Sequence, residues 1–162
     1  MAVAPRWISA PLDIDPKPSR LDLSLFKRSL ARCTAKKDFL DRFYQRLLAA
    51  SPDVALLFRD TDFVRQKLLL KRSLSILMMF ALDEQLTRTT FDLQTLAEVH
   101  HRRRIAAPLY DLWLDCMLAT VRECDPRYDA AVERAWRLTL APGIAFMKSG
   151  VHLAWQEDDT AP

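Results

Sequence analysis

The sequence predicts an all-α protein, six principal helices and one short connecting helix around a single core, and three observations carry the prediction. Apolar residues recur at i, i+3, i+4 and i+7 from about residue 21 onward, with no alternating run of strand length. The chain of 162 residues is half hydrophobic and 28% charged, the balance of one soluble domain with length for a sizeable core. Gly143 and Gly150 are its only glycines, so no glycine-rich phosphate loop or dinucleotide fingerprint exists, and that class of cofactor site is excluded.

Residues 1–20 hold Pro5, Pro11, Pro16 and Pro18 and no helical period, which predicts an extended arm with Trp7 and Ile8 as its anchors. The first helix runs near Leu23 to Ala35. The second, in "KKDFLDRFYQRLLAA", sets Leu40, Phe43, Tyr44, Leu47 and Leu48 on one stripe. A short helix follows in "SPDVALLF", where Ser51 suits the cap and Pro52 the first turn. "DTD" then opens a long helix from Phe63 to Leu82, capped by Asp60 or Asp62. A shorter helix covers Phe91 to His101. Two long ones close the domain, Pro108 to Glu123 and Pro126 to Gly150, with Pro126 placed in a first turn. The domain thus spans residues 21–151, and the acidic segment 152–162 reads as a frayed tail.

Several function classes drop out. Cys33, Cys116 and Cys124 are odd in number and have no CxxC spacing, so a disulfide framework, a zinc knuckle and a c-type haem attachment are unsupported. Buried thiols are the expectation. The most apolar window, "SLSILMMFAL", is too short to span a bilayer, and the N-terminus lacks an apolar signal core; a cytoplasmic address and no membrane partner are expected. A net charge of +3 is mild, and "HHRRR" is one basic cluster without interleaved aromatics, so no nucleic-acid role is expected.

Polar residues on apolar stripes carry the remaining information. Tyr44 on the second helix is either a core tyrosine bonded to a backbone group or a pocket residue. Gln66 shares a face with Leu69, Leu70, Ser73 and Leu77, and is either exposed in the first turn or facing a pocket. On the helix that runs into "LAEVHHRRRI", Leu93, Leu96, Ala97 and His100 fall on one stripe, with His101 on its shoulder. His100 is either a hydrogen-bonded core residue or a ligand.

Taken in order, these segments resemble a globin, and specifically the bacterial single-domain globins similar to the haem domain of flavohaemoglobins. "FYQRLLAASPDVALLF" is similar to that family's helix with "FY", with Pro52 eight and Phe58 fourteen residues after Tyr44. "RQKLLLKRSLSIL" repeats its spacing of Gln66, Leu70 and Leu74. "LAEVHHRRRIAAPLY" resembles its proximal-histidine segment, with an aliphatic five residues and a tyrosine ten residues after the histidine. From His100 these are Ile105 and Tyr110; from His101 they would be Ala106 and Asp111. "DCMLATV" and "ERAW" continue the likeness to about residue 150. The departures are the doubled histidine, the arginine run in place of a small residue before the aliphatic, and the N-terminal arm.

The resemblance implies a globin fold of six to eight helices holding haem b, with His100 as the iron ligand. It places Phe58 on the porphyrin face, Leu70 over the distal side, Leu96, Ile105 and Tyr110 among the cofactor-binding residues, and Tyr44 with Gln66 as the distal hydrogen-bonding pair. Neutral imidazole suits iron, and donors aimed at bound dioxygen slow its release. The implied role is binding of dioxygen, with nitric oxide or carbon monoxide as further ligands, for sensing, scavenging or redox chemistry rather than delivery. Nitric oxide dioxygenation with an external reductase is the catalytic alternative, and a haem-free sensor or interaction module the third. Arg102, Arg103 and Arg104 contact haem propionates, dock an acidic reductase or are solvated, and at least one is expected to be solvated.

Overall fold

The computed structural model describes residues 17–82 and 87–149, and of residues 87–91 the backbone alone. The proline-rich segment before residue 17 and the acidic tail lie outside them. Seven α-helices form among the described residues: α1 (Arg20–Thr34), α2 (Phe39–Ala50), α3 (Pro52–Leu57), α4 (Phe63–Leu82), α5 (Thr87–Arg102), α6 (Ala107–Cys124) and α7 (Ala130–Ser149). The all-α expectation holds, and the bounds of α4 coincide with those read from the sequence. Among the described residues no helix is long and apolar enough to cross a membrane.

Three helix starts differ from expectation: α5 begins at Thr87, four residues before Phe91, and α1 and α7 differ for a capping reason. Helix α1 begins at Arg20 because Ser19 and Asp22 close a capping box: the Ser19 hydroxyl accepts from the Asp22 N–H (3.1 Å) and the Asp22 carboxylate from the Ser19 N–H (2.8 Å). Helix α7 begins at Ala130, not Pro126. The Asp129 carboxylate accepts from the Val132 N–H at 2.8 Å, whereas Pro126 sits in the preceding turn. Of the two candidate caps of α4, Asp62 is the one used, accepting from the Val64 N–H at 3.0 Å.

Helix α7 is the central element, packed against α1 and α4, while α2 lies against α6 and α5 against α4 and α7. Trp136 on α7 is fully buried; its ring meets Phe26 of α1 edge-on at 4.6 Å, and its indole N–H donates to the Ser29 hydroxyl at 2.9 Å. Cys33, Cys116 and Cys124 are all buried, and desolvation pushes the Cys33 thiol up to about 12, so these thiols are packing groups.

The crossing of α4 and α7 depends on Gly143. A Cβ there would fall 2.1 Å from Leu77 Cδ2 and 3.4 Å from its Cγ, and Leu77 is itself buried. Gly143→Val is therefore expected to destabilise the fold by about 2 kcal/mol, the cost of overpacking a filled interior. A urea midpoint unchanged from the parent protein would show that the two helices separate freely.

Candidate functional site

Two groups of predicted site residues assemble, one at the start of α4 and one at the end of α5. The first gathers where α2, the end of α3 and the start of α4 meet. Tyr44 is 5% exposed. Its ring lies edge-on to Phe58 (5.7 Å between centroids) and Phe63 (5.3 Å), with Phe43, its neighbour on α2, at 5.1 Å. Phe58 and Phe63 stack on each other at 6.1 Å and 24°, both half-buried. The Tyr44 hydroxyl donates a long hydrogen bond, 3.5 Å, to the main-chain carbonyl of Gln66. Desolvation pushes this phenol up to about 12, only partly offset by that bond, so it is a protonated donor at any ordinary pH. Gln66 is half-buried and Leu70, one turn on, is buried. Tyr44 and Gln66 are thus brought together, though through the glutamine's backbone and not its amide.

The second group gathers at the end of α5. Leu93 and Ala97 are fully buried, Leu96 and His100 half-buried and His101 exposed. The helical face separates the two histidines as the sequence does. His100 Nδ1 lies 2.8 Å from the carbonyl oxygen of Leu96, one turn back. A carbonyl only accepts, so Nδ1 carries the proton and Nε2 keeps its lone pair. Burial holds the imidazole below its ordinary value, helped by the charge of Arg103 and opposed by the Leu96 carbonyl; the ring is neutral at pH 7. Tyr110 of α6 is half-buried with its ring centroid 6.0 Å from that of His100, and burial raises its hydroxyl.

What ends α5 also fixes the histidine. The Ile105 N–H donates to the His100 carbonyl (3.2 Å) and the Arg104 N–H to that of His101 (2.8 Å), the paired bonds of a Schellman cap. Arg104 occupies the left-handed position of that cap at φ 55°, where glycine is the usual residue. The place of Ile105 five residues after His100 is thereby explained: it is the first residue beyond the cap, half-buried. Arg102, Arg103 and Arg104 are all exposed, and the Arg102 guanidinium lies 3.9 Å from the Glu98 carboxylate. Relief of the left-handed strain by Arg104→Gly is expected to stabilise the protein by about 0.5–1 kcal/mol net of the added freedom of the unfolded chain. The change would be read as a higher urea midpoint, and a lower one would mean that the arginine side chain contributes more than its backbone costs.

Phe63 is the site residue that sequence reading passes over, counted there only as the start of a helix. Its signal is the spacing Phe63, Gln66, Leu70 on one face of α4. Elsewhere an open groove of about 640 Å³ runs beside α2 and α6, lined by Arg42, Gln45, Arg46, Ala49, Ala50 and Glu123. It involves none of the residues above.

No protein-family model matches the chain, and no curated protein matches it. Among solved structures, it is similar to protein PA3967 from Pseudomonas aeruginosa PAO1, described as structurally highly homologous to a human hemoglobin. The two are 37% identical, with a TM-score of 0.74 over 79% of this chain and 96% of that one.

Proposed function

Because this chain belongs to the globin family, we propose that it holds haem b through His100 and binds dioxygen beside a distal pair of Tyr44 and Gln66, in the cytoplasm. One observation carries the reading: the Nδ1–H of His100 is held by its own helix at 2.8 Å, leaving the Nε2 lone pair of a neutral ring on a half-buried face. That is the donor and the orienting hydrogen bond that a haem iron takes from a protein. The surroundings fit a flat apolar group, since Phe58, Phe63, Leu96 and Tyr110 are large, only half-buried and packed against the core. Leu69, on the face of α4 shared with Gln66 and Leu70, stays 45% exposed.

A haem would supply the iron at which a diatomic ligand binds. The chain's own residues then divide the work. His100 would donate Nε2, Phe58 would pack against the haem, and Leu70 would close the distal side against water. Tyr44, protonated and dry, would turn its one O–H from the Gln66 carbonyl to a ligand carrying partial negative charge, and the Gln66 amide would offer a second donor. Two donors slow dissociation, which favours sensing, scavenging or redox chemistry over delivery. The same pair supports nitric oxide dioxygenation with an external reductase. Sustained nitric oxide consumption with a reductase supplied would establish that activity, and a single stoichiometric burst would exclude it.

Absorption spectra of the purified chain with added haem, in ferric, ferrous and carbon monoxide forms, test the proposal. A sharp Soret band that moves with each state is expected; its absence would overturn haem binding. With haem bound, Tyr44→Phe is expected to speed dioxygen release by about fivefold, the factor for one hydrogen bond of about 1 kcal/mol. An unchanged rate would remove Tyr44 from the distal pair.

A further inference from the structure

We infer that Phe63 is a positioning residue for the distal site: its ring, with that of Phe58, aims the Tyr44 hydroxyl. The inference rests on the distal reading of Tyr44. Among the described residues the hydroxyl has one hydrogen bond, to the Gln66 carbonyl, and at 3.5 Å it lies at the weak limit of such bonds. That bond is too loose to fix a phenol whose useful direction must hold to within a fraction of an ångström.

The ring, by contrast, is tightly located. Phe43, Phe58 and Phe63 each meet it edge-on, at 67°, 62° and 68°. Edge-to-face contacts orient as well as attract, because a positive ring edge seeks a negative face. Phe43 precedes Tyr44 on the same helix and moves with it. Direction relative to α4 must therefore come from outside α2, from Phe58 and Phe63. These two stack on each other and form one wall. Phe63 sits in the first turn of α4, three residues before Gln66, so the wall and the second donor share one rigid element.

The test compares Phe63→Leu, which keeps apolar volume without a ring, with Phe63→Tyr, which keeps the ring. Both are measured as haem-loaded full-length protein, with Tyr44→Phe as the reference. The first readout is the C–O stretching frequency of added carbon monoxide, which reports a hydrogen bond to the ligand and does not respond to a change in stability. Phe63→Leu is expected to shift the stretch in the same direction as Tyr44→Phe, and to broaden it, while Phe63→Tyr restores the parent frequency. The second readout is the near-ultraviolet circular dichroism of the chain without haem, taken as the difference between each protein and its Tyr44→Phe counterpart. A ring held in one orientation gives the stronger signal, so Phe63→Leu should weaken this difference and Phe63→Tyr should keep it. A shifted stretch in Tyr44→Phe with an unmoved one in Phe63→Leu overturns the inference and leaves the distal reading standing. An unmoved stretch in Tyr44→Phe overturns both.

Discussion

His100→Ala is expected to abolish the Soret band of the haem-loaded protein, and His101→Ala to leave it intact. The two histidines are adjacent and chemically identical, so the contrast isolates position. His100 is bonded through Nδ1 to Leu96 and half-buried; His101 is exposed. Losing His100 removes the donor atom, and the apolar contacts that remain retain haem weakly and without its defined spectrum. Imidazole added at millimolar concentration should restore part of the band in His100→Ala, because the cap formed by Arg104 and Ile105 involves the main chain of residue 100 and survives the substitution. Acid should mimic the mutation. Because burial lowers the His100 value, Nε2 remains available to a lower pH than that of an ordinary histidine, and haem is released only below it. A band equally strong in His100→Ala, or lost in His101→Ala, would mean that the helical face had been assigned to the wrong residue.

How much of this was legible in the sequence depends on whether the controlling atoms belong to side chains. That His100 and not His101 turns toward the core was legible, since period 3.6 places Leu93, Leu96 and Ala97 beneath it and the structure buries or half-buries all three. The start of α4 was legible because an aspartate ahead of an apolar run is a local capping signal. Pro126 misled because a proline suits a first turn in general, while Asp129, three residues on, offered the carboxylate that caps α7. The partner of Tyr44 was not legible: it is the carbonyl of Gln66, and every residue has one. Nor was the left-handed backbone at Arg104, where the expected glycine is missing and only the hydrogen bonds to His100 and His101 reveal the cap. Least visible was the pairing of Arg32 with Asp125, 93 residues apart, for which no spacing rule exists.

That pair gives the largest expected effect on stability. Arg32 grips Asp125 with both arms, Nε to Oδ1 at 2.6 Å and Nη2 to Oδ2 at 2.8 Å, and the Asp125 side chain is fully buried. The Arg127 N–H adds a third bond at 2.9 Å, and the nearby Ser29 hydroxyl, which accepts from Trp136, also favours the charged carboxylate. Burial alone would raise the carboxyl; these donors overcome it and hold Asp125 at about 2. A carboxylate depressed from 3.8 to about 2 stabilises the fold by about 2 kcal/mol above pH 4, and that contribution is lost as pH falls through about 2. Arg32→Ala strands the charge in the interior, and about 3 kcal/mol or more should be lost at pH 7. Burial then dominates and Asp125 moves above the ordinary range, so its contribution changes sign. The variant should recover relative to the parent as pH falls from 7 to 3, because protonation relieves the stranded carboxylate. Asp125→Asn in the Arg32→Ala background should recover part of the loss at pH 7 without acid. Urea midpoints of the three proteins at pH 3 and pH 7 measure all of this. A deficit in Arg32→Ala that is equal at both values would mean that lost packing of the arginine stem, and not the unpaired charge, sets the cost.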